Sequence, residues 1–213
     1  MGGLTKLYIC PGFHDPSLTQ SFLDALISAW GSTWCDRFLL GVVPPEVPPY
    51  GPEQILEHLE GCLRGQGLGE WGVGSGGVGS EEQGVRTGVA LVWVGFSAGV
   101  VGGLLAARRW HREGLGRGLG CSVAAFMAID GWGVPLWADF PVYSLSPDRF
   151  AYETMRPLRS PQLPHFYGDP GVSHLALWES PHRALGWEES AGGERLRLTA
   201  AQYLQRRLRA VGL

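Results

Sequence analysis

Residues 89–94, Val-Ala-Leu-Val-Trp-Val, form an apolar run rich in valine with no polar side chain on either face. A strand half exposed to water alternates polar and apolar residues, so this run predicts a strand buried on both sides, as in a parallel sheet covered by helices. It opens an uncharged stretch, residues 88–107, that is long enough to cross a bilayer. Glycines at 88, 95, 99, 102 and 103 dilute that stretch, and a mean hydropathy of +0.01 argues against a membrane span.

The rest of the chain repeats the same alternation. Further strands are predicted at residues 6–10, 37–43, 122–129, 141–145 and 165–168, with helical spacing at 17–30, 53–63, 98–112 and 194–211. Strands alternating with helices predict an α/β fold, a three-layer α/β/α sandwich around a mainly parallel sheet of about six strands. With 213 residues, 45% hydrophobic and 17% charged, residues 1–213 are expected to form a single domain with a real core. The arginines of the last helix, Arg195, Arg197, Arg206, Arg207 and Arg209, read as a solvated face. Residues 65–88 are low in complexity, and glycine at that density is costly to order, so a flexible surface insertion is expected there. No Gly-Lys-Ser/Thr follows to make it a phosphate loop.

Composition narrows the function classes. A net charge of -3 provides no cationic surplus for a nucleic-acid backbone, so nucleic acid is not expected as a partner. Cys10, Cys35, Cys62 and Cys121 are scattered without metal-ligand spacing, which predicts no metal site and fits free thiols in a cytoplasmic setting. The N-terminus lacks a basic start, a long apolar run and a small-residue cleavage site, so no export is expected.

The chemistry concentrates in Gly95-Phe96-Ser97-Ala98-Gly99, a GxSxG motif between a predicted strand and a predicted helix. That context is what a nucleophile elbow needs: a sharp turn lifts the serine hydroxyl above the strand end, and small neighbours leave room for it. The helix that follows points its free N–H groups at the reacting centre, where negative charge develops.

With this motif and its order of strands and helices, the chain resembles the α/β-hydrolase superfamily over nearly its whole length. The resemblance implies a minimal form of that fold in which residues 6–10 correspond to the family's third strand and the two strands before it are missing. It implies a serine hydrolase of the carboxylesterase, lipase or thioesterase kind, needing no cofactor. The family's oxyanion loop corresponds to Pro11-Gly12-Phe13-His14, with proline where histidine is usual, and implies an oxyanion hole from the backbone N–H groups of Phe13 and Ala98. His14 would line the pocket mouth or serve structure alone.

The family order of serine, acid, histidine implies His174 as the base, with His182 the alternative, since His14 and His58 precede Ser97, His111 falls in the helix after it, and His165 opens the last predicted strand, at the wrong end of it. The acid expected after the next-to-last strand is Asp148; Asp130, one strand earlier, is the alternative acid, and Asp169 lies on the same loop as His174. Between Ser97 and Asp148 there is no room for a lid domain. Trp132, Trp137, Trp178 and Trp187 fall near these loops, so the expected substrate is a small-molecule ester or thioester with an apolar group. A second reading keeps the fold as a catalytically silent binding or scaffold protein.

Overall fold

The computed structural model describes residues 4–31, 37–68, 88–114 and 120–212. Most of the predicted glycine-rich insertion, and Cys35, lie outside them. The chain is α/β, with eight strands among the described residues in one sheet of order β2-β1-β3-β4-β5-β6-β7-β8. The strands are β1 (Leu4–Cys10), β2 (Leu39–Val42), β3 (Val89–Phe96), β4 (Cys121–Ile129), β5 (Val142–Ser146), β6 (His165–Gly168), β7 (Leu185–Glu189) and β8 (Arg195–Thr199). β1 to β6 pair in parallel, whereas β6 with β7 and β7 with β8 pair antiparallel. The α-helices among the described residues are α1 (Pro16–Trp30), α2 (Pro52–Gly65), α3 (Ala98–Arg112), α4 (Arg149–Thr154), α5 (His174–Glu179) and α6 (Ala200–Ala210).

The sheet thus has two strands more than the six expected, and both come from the C-terminal region. The helix expected at 194–211 is split, because Arg195-Leu196-Arg197-Leu198 alternates with period two and continues as β8 until Thr199 caps α6. Thr199 and Gln202 form a capping box, each side chain bonding the other's backbone N–H. β7 carries Glu188, whose buried carboxylate accepts from Arg206 at 3.1 Å and from Arg207 at 3.1 Å. Arg207 is therefore largely withdrawn from water rather than part of a solvated face.

Side chains alternate across the sheet and feed two buried clusters. Tyr8, Cys10, Trp93 and Phe126 join residues of α2 and α3, including Ile55, Leu59, Val100 and Trp110. Leu7, Ile9, Val94, Phe96 and Met127 join residues of α1, α5 and α6, including Phe22, Leu26, Trp178 and Tyr203. The uncharged stretch at 88–107 is divided between β3 and α3, and no helix among the described residues is long and apolar enough to cross a membrane. Cys10 and Cys62 are free thiols, and no group of metal-binding side chains occurs among the described residues.

The helix starts follow local chemistry. Asp15 caps α1 by accepting from the Ser17 N–H at 2.9 Å, and Pro16 and Pro52 occupy first-turn positions where a missing N–H costs nothing.

Candidate active site

Ser97 stands between β3 and α3 with φ 54° and ψ -121°, a backbone conformation that L-residues rarely adopt. Two hydrogen bonds hold it there: its N–H donates to the Ile129 carbonyl at 3.0 Å, and its carbonyl accepts from Val100 at 3.0 Å. The turn is tight because backbone crowds it. A Cβ on Gly99 would lie 2.0 Å from the Cys10 carbonyl oxygen, and one on Gly12 would lie 2.9 Å from the Ser97 Cβ. The Gly12 turn after β1 is thus pressed directly against the serine. Among the described residues, neither the Ala98 N–H, next to the serine in the chain, nor the Phe13 N–H, next to Gly12, donates a hydrogen bond.

His174 opens α5, whose cap Ser173 accepts from Ala176 at 3.2 Å. The His174 Nδ1 lies 2.5 Å from the Asp130 Oδ2. With Nδ1–H donating to that carboxylate, Nε2 is the ring atom left for a hydroxyl. Asp130 follows β4 directly, has φ 46°, and donates its N–H to the Leu145 carbonyl at 2.8 Å. Gly131 lets this turn settle on α3, since a Cβ there would lie 2.6 Å from the Val100 Cγ1. Burial pushes the Asp130 carboxyl above its ordinary range, the His174 hydrogen bond and charge pull it down, and the negative charge of Asp148 pushes it up again.

The expected acid, Asp148, is not against His174. Its Oδ1 accepts from the Ala151 N–H at 2.7 Å, capping α4, and Asp130 takes the place beside the imidazole. The physical reason is competition for the carboxylate: a helix begins immediately after Asp148 and exposes unpaired N–H groups, whereas the residues after Asp130 turn through Gly131 and Gly133 without helix. The sequence carried that signal in the helix-compatible run Arg149–Thr154.

Ser97, Ala98, Val101, Asp130, Trp132, Val134 and His174 line one open pocket of about 260 Å³. No side-chain hydrogen bond joins Ser97 to His174 among the described residues. Trp132, one of the lining residues, is exposed and donates to the Thr154 hydroxyl at 3.0 Å.

An aromatic column fixes the imidazole. The rings of His174 and Phe96 stack at 4.6 Å, Phe96 and Trp178 at 4.8 Å, and Trp178 and Phe22 at 3.8 Å. His174 and Trp178 are four residues apart and so share one face of α5. His14 leans on Phe96 and Trp178 and engages the Asp15 carbonyl through Nδ1. Sequence reasoning missed this role for Phe96, which entered only as a residue of the GxSxG motif, and for Phe22, which entered only in the helical spacing of residues 17–30.

The other candidates lie apart. His182 is exposed on the turn after α5, and Asp169 accepts from the Trp187 indole at 2.7 Å. His58 bonds the Tyr8 hydroxyl, and His111 packs on Phe140. Trp137 is exposed on the loop that precedes β5.

No protein-family model and no curated protein matches this chain.

Proposed function

We propose that the protein is a serine hydrolase of the α/β-hydrolase kind, cleaving a carboxylic ester or thioester through an acyl-enzyme on Ser97. On this reading the sheet with helices over both faces is a three-layer α/β/α architecture without a lid domain, working in the cytoplasm and without a cofactor. The observation that carries it is the convergence on one pocket of a strained serine and a histidine whose other ring nitrogen is held by a carboxylate.

In the reaction, the Ser97 Oγ attacks the acyl carbon while His174 Nε2 takes its proton. The carbonyl oxygen becomes an oxyanion held by the Phe13 and Ala98 N–H groups. Collapse breaks the bond to the alkoxide or thiolate, which leaves with the proton from Nε2. Water then repeats the sequence, Nε2 again serving as base, and releases the carboxylic acid. Asp130 keeps Nδ1–H as the donor and stabilises the imidazolium that forms at each step.

The test is labelling with a fluorophosphonate followed by peptide mapping. An adduct on Ser97, lost in Ser97→Ala and suppressed in His174→Ala, is the expected result; a folded protein that never acquires the adduct fails the reading. The absence of a Ser97–His174 hydrogen bond among the described residues favours a second reading, a binding or scaffold protein without turnover, and that unlabelled outcome would select it.

A further inference from the structure

A second and larger pocket, of about 350 Å³, lies on the other side of Ser97 from Asp130. Asp130 extends the neighbouring strand β4, whereas this pocket is enclosed by the turns that follow β1 and β2 and by the first turns of α1. Gly12 and Phe13, the turn pressed against the serine, form its wall nearest the reacting centre.

The lining has an unusual chemistry. Pro11, Pro44 and Pro49 present fixed backbone with no N–H to donate, Leu23, Val43 and Val47 supply aliphatic surface, the polar side chains are His14, Thr19 and Gln20, and no Asp, Glu, Lys or Arg among the described residues lines the pocket. Such a cavity is formed in advance of any guest and would penalise a charged one, while rewarding an apolar group for leaving water.

The stereochemistry of acyl transfer then assigns the two pockets. The leaving atom must face His174, because it departs with the Nε2 proton, so the leaving group occupies the Trp132 side. The oxyanion faces the Phe13 and Ala98 amides. The remaining substituent on the tetrahedral carbon is the acyl chain, and the space left for it is on the β1 and β2 side. We propose that the pocket between these turns is the acyl subsite and that the substrate carries an uncharged aliphatic acyl group of medium length. This inference rests on the hydrolase reading above.

The experiment compares kcat/KM for p-nitrophenyl octanoate and p-nitrophenyl acetate in the wild type, Ser97→Ala, Val47→Phe and Gln20→Trp. Gln20 is an exposed position of α1 at the pocket rim, so Gln20→Trp narrows the pocket without touching the core. The wild type is expected to prefer octanoate, Ser97→Ala to lose both activities, and each narrowing variant to lower the octanoate-to-acetate ratio at least tenfold. Ser97-dependent hydrolysis with an unchanged ratio in both narrowing variants overturns the subsite and leaves the hydrolase reading standing. Hydrolysis that persists in Ser97→Ala, or a wild type that turns over neither ester, overturns both.

Discussion

Ser97 and Asp130 occupy equivalent places at the ends of adjacent parallel strands, and both hold a positive φ, 54° and 46°. The register pairs Phe96 with Ile129, so the two residues leave the sheet side by side, and each N–H is anchored to the next strand along. Strain of this kind costs about 1–3 kcal/mol per residue and persists only where the surroundings over-determine it. Here the sheet does so twice, and the result is a serine and a carboxylate a strand apart beneath one histidine.

Replacing Asp130 by Asn should leave folding intact but favour the wrong imidazole tautomer, lowering kcat by a factor that reaches about 10⁴ in the serine proteases. Asp148→Ala should leave kcat within a few-fold and cost about 1 kcal/mol of stability through the lost α4 cap. Ester kinetics alongside urea unfolding of the two variants separates the roles, and a reversed pattern would return Asp148 to the site.

Ser97→Gly should abolish labelling and turnover while raising stability by about 1 kcal/mol. Glycine adopts the observed conformation freely, and this relief exceeds its added cost in the unfolded chain. The check is a higher urea midpoint for an inactive protein.

Gly99→Ala should be strongly destabilising, by about 3 kcal/mol. The added methyl would stand 2.0 Å from the Cys10 carbonyl oxygen and 2.5 Å from that of Pro11, and backbone cannot rotate aside as a side chain can. Thermal unfolding of Gly99→Ala against Gly61→Ala, where a Cβ meets nothing within 4 Å, isolates the clash from the change in composition.

His165 should make the fold acid-sensitive. Burial lowers its pKa from 6.5 to about 4, and the neutral ring is held by Ser144 at Nδ1 and by the Ser160 carbonyl at Nε2. The unfolded chain takes up the proton more readily than the folded one, so this stability is present above pH 6.5 and is lost as pH falls toward 4. The loss between pH 7 and pH 5 is about 2 kcal/mol. Urea unfolding at the two pH values should show it, and His165→Gln should flatten the dependence whatever its absolute stability.

The parallel strands were legible because burial on both faces leaves runs such as residues 89–94 without polar interruption. β7 was not, because Glu188 and Glu189 make up the last two of its five residues, and only the fold brings Arg206, Arg207 and Arg195 to them. The serine announced itself through local backbone demands on Gly95 and Gly99, and His174 through its place after β6. The carboxylate was ambiguous because two loop aspartates follow two good strands. What separates them is a helix start, and capping motifs weigh less to the eye than strand order.

The column of Phe22, Trp178, Phe96 and His174 joins α1, α5 and β3 through stacked faces. Releasing the imidazole by lifting α5 would hydrate three aromatic surfaces at once, so that motion belongs to the slow, cooperative openings of the core rather than to the rapid fluctuations of a surface loop. In amide hydrogen exchange, α5, though only six residues long, should therefore share the protection of α1 instead of exchanging like a frayed terminus.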